Sequence, residues 1–158
     1  MEISERFKGC IIGGAIGDAY GSAYENIIKD YDSTITYYPF GKPEKLIPKW
    51  QITDDTQLTL ATCEVLTENE IIDTNLFANK YLDFFKSKKI TGIGSSTLKA
   101  MQELEVGSHW SLVGRKGEYA AGNGAAMRIA PLGFESNILR SNIKDICNIT
   151  HQNDEAYV

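Results

Sequence analysis

The chain has 158 residues, of which 42% are hydrophobic and 23% charged, with a net charge of −5 and a pI near 5.1. That length and balance describe about one domain with apolar residues enough for a core, and exclude a disordered or low-complexity chain. The acidic excess argues against a general grip on nucleic-acid phosphates, and no stretch is long and apolar enough to span a membrane.

The first predicted element is a helix over residues 4–25, with Ser4 at its N-cap. Gly9, Gly13, Gly17 and Gly21 recur along one of its ridges. Such a row lets another helix backbone come close. Glu2 and Glu5 stand where a signal peptide would carry basic residues. From residue 26 to 50 helical periodicity disappears. Pro39, Pro43, Pro48 and the Tyr37-Tyr38 pair indicate a long loop, with room for a short strand over 33–38.

A second helix opens near Thr53, with Leu58, Ala61, Val65 and Leu66 on its apolar face. A third starts at the N-cap Asp73 and carries Leu76, Phe77, Tyr81, Phe84 and Phe85. A fourth begins at Ser95 or Ser96, turns Leu98, Met101 and Leu104 inward, and stops at Gly107. Glycine-rich chain follows to Gly124, then a short apolar segment over 125–130 closed by Pro131. A further helix is predicted over 143–149. Residues 150–158 read as the start of another, with Thr150 capping and Asp154-Glu155 in the first turn. Most of the chain reads as short helices joined by glycine-containing loops, with no convincing alternation of strands and helices. Cys10, Cys63 and Cys147 are widely spaced and odd in number. They suit neither a zinc site nor a disulfide framework, and point to the reducing cytoplasm.

Three groups of residues offer chemistry. Asp18 and Glu25 are seven positions apart, on nearly the same helix face and about 10 Å apart along the axis. With Gly21 and Ser22 between them they form either an open acidic groove or a solvated pair. Thr53-Asp54-Asp55-Thr56 is either a helix start or a concentration of hard oxygen ligands, which suit Mg²⁺ or Mn²⁺ better than Zn²⁺. Gly122-Asn123-Gly124, with Arg115 and Lys116 upstream, is either an ordinary loop or a cradle of backbone N–H groups for an anion. His109, beside Trp110, reads as structural or exposed. His151 stands close to the acidic tail, and a site role and a structural one remain equally open.

Taken in order, Gly13-Gly14-Ala15-Ile16-Gly17-Asp18-Ala19-Tyr20-Gly21-Ser22-Ala23-Tyr24-Glu25, Ile52-Thr53-Asp54-Asp55-Thr56, Gly122-Asn123-Gly124-Ala125-Ala126-Met127-Arg128-Ile129-Ala130-Pro131-Leu132 and Thr150-His151 strongly resemble the ADP-ribosylglycohydrolase family over essentially the whole chain. The resemblance implies an all-α orthogonal helical bundle around a two-Mg²⁺ centre, with Mn²⁺ in some members. It also implies Mg²⁺-dependent hydrolysis of the glycosidic bond linking ADP-ribose to an acceptor. On the matching positions it makes Thr53, Asp54 and Asp55 metal ligands, with Asp55 and Glu25 catalytic. Gly122, Asn123, Gly124, Met127 and His151 would bind substrate.

Members of the family carry a second metal motif, Asp-x-Asp-Thr, near their C-terminus, and nothing after Asp55 matches it here. The chain is therefore expected to be the N-terminal portion of a single domain about twice as long. Alone it would expose apolar faces, and self-associate or await a missing C-terminal half. The competing expectation is a catalytically inactive relative that binds ADP-ribose or serves structurally, like the crystallin-type members.

Overall fold

A computed structural model describes residues 2–25 and 50–157. The predicted loop over 26–50 (apart from Trp50) and strand over 33–38 lie outside the described residues, as does the Glu25 side chain. Five α-helices, α1 (Ile3–Glu25), α2 (Asp54–Glu68), α3 (Thr74–Lys86), α4 (Ser95–Glu105) and α5 (Arg140–Asn148), account for most of the described chain. One short parallel pair of strands, β1 (Arg115–Lys116) and β2 (His151–Gln152), joins them. The class is all-α, as predicted.

The core is built where periodicity placed it. Leu58, Ala61 and Val65 from α2 meet Phe77, Ala78, Tyr81 and Phe84 from α3 and Ala100, Met101 and Leu104 from α4. Val113, Leu132, Ile146 and Ile149 close the cluster. Tyr81, fully buried, keeps its hydroxyl 2.9 Å from Thr62 Oγ1, so its polar end is not stranded in the apolar interior. Asp73 caps α3 as expected, accepting from the Asn75 backbone N–H at 2.9 Å.

The start of α2 is capped from another helix. Thr53 does not accept from its own first turn. Asp18 of α1 reaches across instead, accepting from the backbone N–H of Thr53 at 2.8 Å and of Thr56 at 3.1 Å. It also accepts from both hydroxyls, at 2.6 Å from Thr53 and 2.5 Å from Thr56. Burial opposes ionisation of Asp18, but the bonds from Thr53 and Thr56 outweigh it and hold the carboxyl below its ordinary value.

Two expectations are corrected. The glycine ridge of α1 admits no close helix among the described residues. A Cβ at Gly9, Gly13, Gly17 or Gly21 would meet nothing within 4 Å. Ile12 and Ile16 are more than half exposed, and α1 adds no side chain to the buried core. It rests on its surroundings through Asp18 and through Phe7, edge-on to Phe134 with ring centroids 5.1 Å apart. At the other end, residues 150–158 do not begin an α-helix. Thr150 Oγ1 accepts from Arg128 and contacts His151 Nδ1, and the chain enters β2 instead. Asn153 then caps a single 3-10 turn, Asp154–Ala156, accepting from Glu155 N–H at 2.7 Å.

β1 and β2 pair in register Arg115 with His151 and Lys116 with Gln152. The approach requires glycine at 114, where φ is +82° and a Cβ would fall 2.8 Å from the Thr150 carbonyl oxygen. The pairing brings His151 back to the loop that precedes Gly122.

Asp18→Ala should lower unfolding stability by about 2 kcal/mol in urea titrations, the scale of a charged helix cap with several donors. Because the folded pKa is depressed, this contribution is complete above the ordinary 3.8 and is lost as pH falls through the folded value. The difference between wild type and variant should therefore shrink in acid.

Candidate active site

Two helix N-termini, that of α2 at Asp54 and that of α4 at Ser95, open on one cavity of about 380 Å³. Asp54 and Asp55 line one side. Gly122, Asn123, Gly124 and Met127 line another, and His151 completes the wall. The structure thus places seven of the nine predicted site residues around a single space. Thr53 stands one position back, its hydroxyl donated to Asp18. Glu25 ends α1, and its side chain is outside the described part.

The predicted acidic groove between Asp18 and Glu25 is not formed by Asp18. Its two oxygens are turned onto α2 and occupied by four donors. Ser22, between them in sequence, approaches the Gln51 carbonyl oxygen at 2.7 Å and donates from its hydroxyl. The segment after Gly124 is a single 3-10 turn, Ala126–Arg128. The helix ends that face the cavity are those of α2 and α4. Gly92, Gly94, Ser95, Ser96, Thr97 and Tyr119 also line it, and reading the sequence did not single them out as site residues. The available signal was the small-residue run from Gly92 to Thr97 ahead of α4, which reads first as an ordinary helix start.

Among the described residues no basic side chain forms a salt bridge with these acids. Asp54 accepts from the Gly94 N–H at 3.3 Å, linking the starts of α2 and α4. Burial raises its pKa to about 6, partly offset by that bond and reinforced by the charges of Asp55 and Asp18. Asp55 is raised as well, by burial and then by Asp18. Carboxylates in this state gain from a divalent cation, and their hard oxygens fit Mg²⁺ or Mn²⁺. Among the described residues no group of three or more His, Cys, Asp or Glu side chains is set to hold a metal. The set here is two carboxylates and a threonine oxygen, fitting in chemistry and partial in number.

The opposite wall is neutral to positive. His151 is 4% exposed, and burial, then the Arg128 charge, bring its pKa down to about 4. Glycine at 124 is required by its imidazole. A Cβ at Gly124 would sit 2.7 Å from His151 Cε1 and 3.1 Å from Nε2. Asp55 and Met127 also border a second cavity of about 380 Å³, lined on its far side by Cys10, Gly14, Gly17 and Asp18 of α1. His109 is in neither cavity and pairs at 2.8 Å with Ser111, as a structural residue would.

A family model described as ADP-ribosylglycohydrolase matches residues 1–158. An uncharacterized protein of Archaeoglobus fulgidus is 31% identical, over 98% of this chain and 52% of its own length. The Pseudomonas putida protein named ADP-ribosylarginine hydrolase Tri1 is 28% identical over 96% of the chain and 43% of its own. Human ADP-ribosylhydrolase ARH3 is 25% identical over 96% and 46%. A solved structure titled ADP-ribosylglycohydrolase-related protein complex superposes with a TM-score of 0.70 at 28% identity, covering 99% of this chain and 52% of that one. The chain spans about half the length of the relatives it matches.

NMR titration of the metal-free protein should find Asp54 changing protonation near pH 6 and His151 near pH 4. A cation needs Asp54 ionised, so divalent affinity should rise as pH increases through about 6, with proton release. His151, depressed from 6.5, favours the folded state fully above that value and withdraws the contribution as pH falls toward 4. Gly124→Ala should displace the imidazole, seen as large shifts of the His151 ring resonances.

Proposed function

Because this chain belongs to the ADP-ribosylglycohydrolase family, we propose that it serves in Mg²⁺-dependent hydrolysis of the glycosidic bond between ADP-ribose and an acceptor, through a binuclear metal centre, as the N-terminal portion of such a domain. The observation that carries this reading is the meeting of Asp54 and Asp55 with the Gly122–Gly124 loop and His151 around one cavity. The names of the Pseudomonas putida and human relatives support ADP-ribose as the substrate class. Mn²⁺ is the alternative ion.

In this proposal Asp54, Asp55 and the Thr53 oxygen would hold divalent cation. When bound, the metal supplies Lewis-acid polarisation and lowers the pKa of water. Backbone N–H groups of residues 122–124 receive the diphosphate, so binding remote from the reacting bond positions the anomeric carbon. Met127 and His151 shape the wall beside it. Glu25 is assigned the role of base, or of the acid that opens the site to substrate. Water adds to the anomeric carbon, the bond to the acceptor breaks, and the acceptor leaves with a proton. The three free thiols support a reducing, cytoplasmic setting. The exposed Ile12 and Ile16 support burial of that α1 face in a larger assembly, including self-association.

Chromatography of released ADP-ribose should show turnover in the full-length protein with Mg²⁺. Asp55→Ala should reduce it by more than about a hundredfold, and Glu25→Ala should remove it as well. Unchanged turnover in both variants would end the mechanism. Mg²⁺-dependent ADP-ribose binding without release would mark a non-catalytic relative.

A further inference from the structure

Arg128 is fully buried, yet among the described residues no carboxylate pairs with it. An isolated interior charge is expensive, and an apolar side chain of similar volume is often the more stable choice. What the guanidinium adds is geometry. Nη1 donates to the Gly124 carbonyl. Nη2 donates to the Ile146 carbonyl at 3.2 Å, near the end of α5, and to Thr150 Oγ1 at 2.8 Å. The plane lies over Tyr81, with Cζ 5.0 Å from the ring centroid, which offsets part of the desolvation. One side chain thus ties the glycine loop to the segment that carries His151.

Proton accounting extends the chain of contacts to the imidazole. Thr150 Oγ1 accepts from Arg128 and lies 2.7 Å from His151 Nδ1. The hydroxyl has a single proton to give, and of its two partners, Arg128 and Nδ1, Nδ1 alone has a lone pair to receive it. Directing the proton there leaves Nδ1 bare and puts the ring proton on Nε2. Nε2 borders Gly122 and Gly124, in a side chain that lines the cavity.

We propose that Arg128 is a positioning residue of this cavity, holding the Gly124 carbonyl directly and, through Thr150, fixing His151 as an Nε2–H donor toward the oxygens of bound ADP-ribose. The ligand named here rests on the functional reading above. The assignment concerns which nitrogen carries the proton and how the loop is held, and Arg128 itself touches no substrate.

The test combines nitrogen-15 spectra of the His151 ring at neutral pH with calorimetric ADP-ribose binding in the full-length protein. Wild type should show a protonated Nε2 and an unprotonated Nδ1. Arg128→Lys keeps the charge but loses the fork. Thr150→Val keeps the volume but loses the hydroxyl, and remains informative where the buried arginine variant fails to fold. Each should mix the two tautomers and weaken ADP-ribose roughly tenfold, the size of one hydrogen bond. Thr150→Ser should restore both readouts. A protonated Nδ1 in wild type, or wild-type tautomer and affinity in the folded variants, would overturn the proposal. A wild type that shows the Nε2 tautomer but does not bind ADP-ribose would remove the functional reading and the ligand, leaving the spectra to decide Arg128's control of the ring.

Discussion

The carboxylate of Asp18 anchors the start of α2 from another helix, and the aim of the acidic wall depends on that contact. Its four donors all come from Thr53 and Thr56, the residues that bracket Asp54 and Asp55. A helix start free to fray would present its first-turn side chains over a range of directions. Here both backbone N–H groups and both hydroxyls are engaged, so Asp54 and Asp55 leave α2 along fixed vectors. The second constraint is the bond from Gly94 N–H to Asp54, which sets the beginning of α4 against that of α2. Three helices are thereby registered at one point, by polar contacts around a pair of acids and with little help from apolar packing of α1.

The cavity is electrically lopsided in a way that is consistent with the proposed ligand. On one side burial and the charges of neighbouring carboxylates, Asp18 among them, leave Asp54 and Asp55 reluctant to ionise. On the other, burial and then the charge of Arg128 keep His151 neutral, and the guanidinium sits behind the glycine loop. Neither group is matched by an opposite charge within the described part of the chain. A cation on the acidic wall and an anionic diphosphate on the loop would each relieve the side it meets. The two walls are held about one space, an arrangement compatible with the proposed ligand, which carries both a diphosphate and a sugar able to chelate metal.

Much of this was legible in residue order. The apolar spacing of Leu58, Ala61 and Val65, and of Phe77, Tyr81 and Phe84, marked the core because helical period alone fixes which side chains face inward. Asp73 announced a helix start because a side-chain cap is a local device. Asp54, Asp55, Gly122–Gly124 and His151 stood out as candidate site residues only when taken together, since each motif alone has an ordinary local explanation. What stayed hidden was long-range. Asp18 looked like half of an acidic groove because nothing near it in sequence shows that its partners lie 35 and 38 positions on. Residues 150–158 looked helical because local capping signals cannot report that a buried arginine has claimed the Thr150 hydroxyl. The glycines of α1 suggested a close helical neighbour, but spacing states that a surface is smooth and leaves open what, if anything, lies on it.

The pairing of β1 with β2 contains only two residues a side, yet it sets the order in which the cavity is assembled. Gln152 reaches the Val113 carbonyl from 39 positions away, and His151 enters its place only through that return of the chain. Contacts so distant in sequence carry a loop-closure entropy that early, local helices do not. During synthesis α2, α3 and α4 leave the ribosome before β2, with their acids already set in sequence. The wall that would receive the diphosphate has to wait for residue 151, so a nascent chain interrupted before that point would display the acidic half of the cavity with no imidazole to complete it.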